Sequence, residues 1–393
     1  MRTVLTARRL LTPAETLEKP AVVIEDGTIV AIQSRASAEL PPGRHVDFPD
    51  ATLIPALFDV HIHGSGGHDV MEATESALNR IGAFLAGRGI GAYLATTVTG
   101  PLDFLLGSLS GLAKLLNQPI DGARPRGIHL EGPFLSPHKR GAHAESQLLT
   151  PSVALFERMW QAAEGQIRLM TIAPELPGAE ETIAYATKLG VRISLGHSDA
   201  DAAAAQRGVR AGAVSATHTF NAMRAFDHRS PGLLGEVLTN DALFAELICD
   251  GLHVDPAAVK LWWKAKGAAR GILVTDAMAA AGMPDGPYRL GELDVRVENG
   301  RVLIGESTLA GSTLTLDRGV RNFMAFTGAN LGQAVTLATR NPARMTGFDG
   351  EVGSLAAGRV ADIALLSPDH EVVETFLRGE PCCIPASEVN FNG

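Results

Sequence analysis

The amino-acid sequence predicts an α/β protein: a TIM-like (β/α)₈ barrel joined to a small β-sandwich domain made from both chain termini. Three observations carry that expectation. Apolar, strand-like runs at 57–61, 92–97, 127–131, 168–173, 192–197, 214–218, 245–250 and 272–276 alternate with Ala/Leu-rich segments of helical period, such as 152–163, 180–189 and 200–211. The two ends of the chain read instead as short β-branched runs between turns, and ionisable side chains gather where the central runs stop. Strand-then-helix repetition with buried parallel strands is what a closed barrel requires. A doubly wound open sheet is the competing arrangement, but no Gly-x-Gly-x-x-Gly follows the first run.

At the N-terminal end, residues 21–24 and 28–32 flank Asp26-Gly27, a dipeptide that favours a tight hairpin. The C-terminal end repeats the pattern at 353–355, 361–366 and 372–376. Neither end holds enough strand for a core of its own. Residues 1–55 and 347–393 are therefore expected to form one β domain, and residues 56–346 the barrel. The interval 286–310 breaks the barrel rhythm, with strand-like pieces around Asn299-Gly300. It reads as a hairpin inserted after the last barrel strand, where it could cover the barrel mouth.

Composition narrows the function. The chain has 393 residues, of which 46% are hydrophobic and 20% charged, enough to bury a large core. Its 34 basic and 43 acidic residues give a net charge of −9, which argues against binding nucleic acid or anionic membrane. No stretch approaches the ~20 uninterrupted apolar residues of a membrane span, and the first twenty residues lack the apolar segment of a signal peptide. The three cysteines, Cys249, Cys382 and Cys383, do not suggest a disulfide framework, so a cytoplasmic location is expected.

In a barrel, function resides at the carboxyl ends of the strands. His61, His63, Glu131, His197, His218 and Asp276 each close or follow a strand-like run. Such groups are poor choices for burial unless paired or metal-bound. The strand period places His61 and His63 on one face with Ile62 turned away, a spacing suited to one metal; a surface pair in a glycine-rich loop is the bland alternative. His197 and His218 end consecutive strands, which lie ~4.8 Å apart. Either alone would suit a core histidine, but with Glu131 they form a hydrolytic zinc set with a position open for water. Asp276 is the expected general base, or more simply a turn or capping aspartate.

These residues sit within His129-Leu130-Glu131-Gly132-Pro133-Phe134, Gly141-Ala142-His143, Leu195-Gly196-His197-Ser198, Thr217-His218-Thr219-Phe220-Asn221-Ala222-Met223, Asp250-Gly251-Leu252-His253, Thr275-Asp276-Ala277 and Leu309-Ala310-Gly311-Ser312. In that order they resemble, essentially end to end, the N-acetylglucosamine-6-phosphate deacetylases of the amidohydrolase superfamily. The resemblance implies hydrolysis of the acetamide of an amino-sugar 6-phosphate. It implies a principal metal on Glu131, His197 and His218, with Asp276 as acid/base and His143 at the acetyl carbonyl. Asn221, Ala222, His253 and Ala310 would contact substrate, and Arg229 would reach the phosphate from a neighbouring subunit of a homodimer. One or two divalent ions per subunit are implied, zinc first, with iron or another ion as alternatives. Many binuclear relatives bridge their metals with a modified lysine ending the fourth strand; here 169–173 holds none, so Glu131 is the remaining candidate for a bridge between that site and one on His61 and His63. Alternatives are the galactosamine epimer, an amidohydrolase of cyclic amides, and a non-catalytic barrel, which would have no need of all six polar groups.

Overall fold

The computed structural model describes residues 2–12, 15–36 and 39–382; Cys383 and positions 383–393 of the expected β domain lie outside them. Eight strands form the central parallel sheet: β1 (Leu57–Ile62), β2 (Ile90–Thr97), β3 (Arg124–Glu131), β4 (Ile167–Ile172), β5 (Arg192–Leu195), β6 (Ala213–Ala216), β7 (Phe244–Ile248) and β8 (Gly271–Val274). They pair in chain order from β1 to β8. Helices follow most strands, and their limits obey capping chemistry. Ser152 and Asp201 accept backbone N–H bonds at the starts of Val153–Ala162 and Ala202–Ala211.

The ring closes between β8 and β1 just beyond the regular ladder. Asp276 N–H donates to the His61 carbonyl (2.9 Å), and His63 N–H donates to that of Ala277 (2.8 Å). Beneath this seam the Thr275 hydroxyl donates to buried Asp59 at 2.6 Å. Burial raises the Asp59 pKa to about 7, against the lowering effect of that bond. The closure thus passes through the backbone of His61 and Asp276 themselves.

The termini form one continuous sheet that folds over its own core. Arg44–Pro55 is its spine, parallel to Arg2–Leu11 on one side and antiparallel to Ile363–Leu366 on the other. Pro20–Glu25 and Thr28–Ser34 extend it as the expected hairpin, with Asp26 (φ 47°) and Gly27 (φ 79°) supplying the left-handed turn. Leu5, Val22, Leu53, Ile363 and Phe376 are buried together between its arms. The spine runs through Ala56 straight into β1, which fixes the sheet to the barrel.

The insertion holds four short antiparallel strands rather than a single hairpin: Gly286–Leu290, Leu293–Glu298, Arg301–Ile304 and Thr308–Leu309. Gly305 (φ 62°) supplies an additional turn that the sequence pattern left unmarked. No helix among the described residues is long and apolar enough to cross a membrane.

A paired charge links the two parts. Arg124, which opens β3, donates to both oxygens of Asp362 (2.9 and 3.2 Å), and Arg378 N–H donates to the same carboxylate at 2.7 Å. Asp362→Ala removes these bonds and is expected to lower stability by about 1–2 kcal/mol, since the pair is only partly buried. The midpoint of urea unfolding at constant slope measures the loss.

Candidate active site

The strand ends converge as the sequence suggests, through a shared local device. His197, His218 and Asp276 each lie two residues past the end of their strand, with φ of 46°, 28° and 52°. Left-handed backbone in a residue other than glycine costs on the order of 1–2 kcal/mol. Here it turns the chain off the strand while the side chain still points into the barrel mouth. His63 follows β1, and Glu131 is the last residue of β3.

Glu131 stands at the centre. Its Oε1 lies 3.3 Å from His197 Nε2 and 3.2 Å from His218 Nε2. Its Oε2 lies 3.4 Å from His61 Nε2 and 3.2 Å from His63 Nε2. Asp276 Oδ1 completes the second group, 3.5 Å from His61 Nε2 and 3.0 Å from His63 Nε2. Every one of these residues is less than a tenth exposed.

In three of the four rings the far nitrogen fixes which atom is offered, whereas His218 Nδ1 is buried without a partner. His63 Nδ1–H donates to the Thr96 carbonyl (3.0 Å) and His197 Nδ1–H to that of Lys139 (2.9 Å). His61 Nδ1–H donates to Glu246 Oε2 (3.2 Å). A carbonyl or carboxylate can only accept, so Nδ1 keeps its proton and Nε2 is the atom these three rings turn toward Glu131. His143 is wired the other way. Its Nδ1 accepts from the N–H and hydroxyl of Thr99 (3.3 and 2.8 Å), which leaves Nε2–H as a donor into the site. His143 groups with Glu131 and His197 by distance alone, but its tautomer suits it to donate a hydrogen bond, not to bind a cation.

The two carboxylates draw positive charge into the site. Burial opposes a charged His63, yet bonds to Asp276 and Glu131 raise its pKa to about 9; His61 is raised too, the charges of Glu131 and Asp276 outweighing the same burial. Burial likewise opposes an ionised Glu131 or Asp276, and the facing imidazoles overcome it and hold both well below their ordinary values. His143 is pushed down to about 3 by burial and by His197, so it is neutral. His61 Nε2 is buried without a hydrogen-bond partner, and His197 and His218 bring their Nε2 atoms within 3.1 Å of each other. Imidazole and carboxylate lone pairs converging out of water fit a divalent cation on either side of Glu131.

A cavity of about 190 Å³ opens above this group. Asn221, Ala222 and His253 line it, as do His63, His143 and Asp276. His253 Nδ1 bonds Asp250 at 2.6 Å, and this pairing raises its pKa despite burial. Ala310 is buried between two cavity-lining neighbours, Leu309 and Gly311. Arg229 is exposed and lines no part of its own chain's cavity, and among the described residues no lysine or arginine does.

Two features escaped sequence reading. Glu246, wholly buried on β7, holds His61 and also faces the His218 N–H at 3.4 Å; a charged residue inside the apolar run Phe244–Ile248 was its signal. Below the carboxylates runs a hydrogen-bonded floor. Thr96 contacts His129 (3.3 Å), His129 contacts Thr171 (2.8 Å), Thr171 contacts Thr217 (2.8 Å), and Thr217 donates to Ser194 (2.7 Å). Thr171 lies on β4, in the run 169–173 that holds no lysine.

Residues 52–382 match the amidohydrolase family. N-acetylglucosamine-6-phosphate deacetylase of Vibrio furnissii is 38% identical over 95% of this chain and 93% of its own length. N-acetylgalactosamine-6-phosphate deacetylase of Escherichia coli O157:H7 is 37% identical, covering 97% of this chain and 99% of that one. A mutant N-acetyl-D-glucosamine-6-phosphate deacetylase from Mycobacterium smegmatis, solved in complex with N-acetyl-D-glucosamine-6-phosphate, superposes with a TM-score of 0.91 at 36% identity. It covers 97% of this chain and 99% of that chain.

Removing the carboxylate behind His61 frees that ring to rotate or change tautomer. Glu246→Ala is expected to weaken divalent-metal retention by about 10–100-fold, the usual worth of such a partner, with Glu246→Gln intermediate. Metal content after dialysis against a competing chelator reports the change.

Proposed function

The chain belongs to the amidohydrolase family, and from that premise we propose that it hydrolyses the acetamide of N-acetylglucosamine 6-phosphate to glucosamine 6-phosphate and acetate. It is a hydrolase of amino-sugar metabolism. The observation that carries the reading is the division of labour around Glu131. Imidazole nitrogens flank both of its oxygens, the Asp276 carboxylate and the neutral His143 imidazole lie beside it, and Asn221, Ala222 and His253 line the cavity.

Glu131, His197 and His218 would hold the principal divalent ion, and Glu131 with His61, His63 and Asp276 a second. Zinc suits the nitrogen-and-carboxylate set, and iron is the alternative. Bound there, such an ion lowers the pKa of water to about 7 and polarises a carbonyl oxygen. The protein's own groups do the rest. Asp276 accepts a proton as water adds to the acetamide carbon, and His143 Nε2–H donates to the oxygen that gains charge. Asp276 then returns the proton to the sugar nitrogen. The C–N bond breaks with an amine leaving, and acetate carries away the new oxygen. His253, biased toward its cationic form by Asp250, receives phosphate with the backbone of Asn221 and Ala222. That cavity wall still wants a fixed positive charge. An exposed Arg229 supports a homodimer in which each subunit lends this side chain to the other.

Asp276→Asn is expected to retain the ion on Glu131, His197 and His218 and to lose about 10²–10⁴ in kcat, followed as acetate release. Arg229→Ala should raise KM for the phosphorylated sugar with kcat little altered, and sedimentation of the wild type should give twice the chain mass. Rates on the glucosamine and galactosamine epimers decide which sugar is preferred, with the former expected to be faster.

A further inference from the structure

Opposite the phosphate-binding wall the cavity turns apolar. Val98 immediately follows β2, whereas Asn221 and Ala222 follow β6. In a ring of eight strands those positions face each other. Val98 is 3% exposed, and it lies between the residues that orient two site histidines: Thr96 holds His63, and Thr99 holds His143. Leu290, also 3% exposed, comes in from the inserted sheet to line the same cavity.

The position of Leu290 is fixed by the barrel. Gly291 N–H donates to Asp69 Oδ2 (2.8 Å), while Asp69 Oδ1 accepts from Met71 (2.8 Å) in the segment after His63. Gly291 has φ 56°, and a Cβ there would lie 2.6 Å from Val98 Cγ2. The turn is therefore seated directly on Val98. A larger groove of about 690 Å³ lies on its outer side, lined by Asp69, Glu72 and Phe104. The turn separates that groove from the catalytic cavity.

Resting on the deacetylase reading, substrate geometry supplies the remaining step. In a pyranose ring C2 and C5 are opposite one another, so a C2 acetamide points away from the phosphate carried on C6. With phosphate toward β6 and β7 and the carbonyl carbon among Asp276, His63 and His143, the acyl methyl is directed at the β2 side. We propose that Val98 and Leu290 form the wall against which the acyl methyl packs, and that they set the largest acyl group the enzyme removes.

The test compares kcat/KM of the holoenzyme on the N-formyl, N-acetyl, N-propionyl and N-butyryl forms of glucosamine 6-phosphate, with metal content and melting temperature as checks of folding. Wild type should lose about 10–200-fold per methylene beyond acetyl, the span one methylene commands in a hydrophobic pocket. Val98→Ala and Leu290→Ala should each raise the propionyl-to-acetyl ratio by about tenfold or more. Val98→Ile should shift preference from acetyl toward formyl, which keeps the test decisive if a truncation fails to fold. Ratios within twofold of wild type in the folded variants would overturn the wall alone. Absence of acetate release by wild type would overturn the deacetylase reading beneath it.

Discussion

A carboxylate with both oxygens buried among imidazoles is unstable unless positive charge stands beside it, and the structure is organised around that demand. Glu131 contributes the negative charge, and four rings turn Nε2 toward it. Three of them are aimed by an acceptor behind the ring: the Thr96 carbonyl for His63, the Lys139 carbonyl for His197 and Glu246 for His61. Two of these acceptors are backbone groups, which cannot lose the role through protonation. His143 reverses the pattern because Thr99 presents a donor. One residue type thus turns either a proton or a bare nitrogen toward the site according to what lies behind the ring.

The barrel is the means by which these partners are held in place. The converging side chains come from β1, β3 and the turns after β1, β5, β6 and β8, so no local segment contains the site. Closure between β1 and β8 uses the backbone of His61 and Asp276, and the buried Asp59–Thr275 bond lies directly below. The polar floor from Thr96 to Ser194 replaces the branched apolar layer usual in such barrels. It ties β2, β3, β4, β5 and β6 together by side chains as well as by the sheet ladder.

Much of this is legible in the amino-acid sequence. Period-two alternation gave the shared face of His61 and His63, and apolar runs with turn-rich ends gave the strand order and the terminal sheet. The Asp26-Gly27 turn formed as its chemistry dictates. What stayed hidden was long-range. Glu246 meets His61 across 185 positions and Asp69 meets Gly291 across 222, and neither pairing leaves a periodic trace. The left-handed backbone at His197, His218 and Asp276 was likewise unreadable, because those residue types do not demand it. The tertiary contacts impose it, against local preference.

The shared spine Arg44–Pro55 has a further bearing on how the molecule is made. Synthesis proceeds from the N-terminus, and the partner strand Ile363–Leu366 leaves the ribosome roughly 300 residues after the spine does. Throughout that interval the spine presents an unpaired edge beside buried-type side chains such as Leu53 and Ile54, the kind of surface that recruits other strands. The nascent chain must keep that edge shielded until its own last strands arrive.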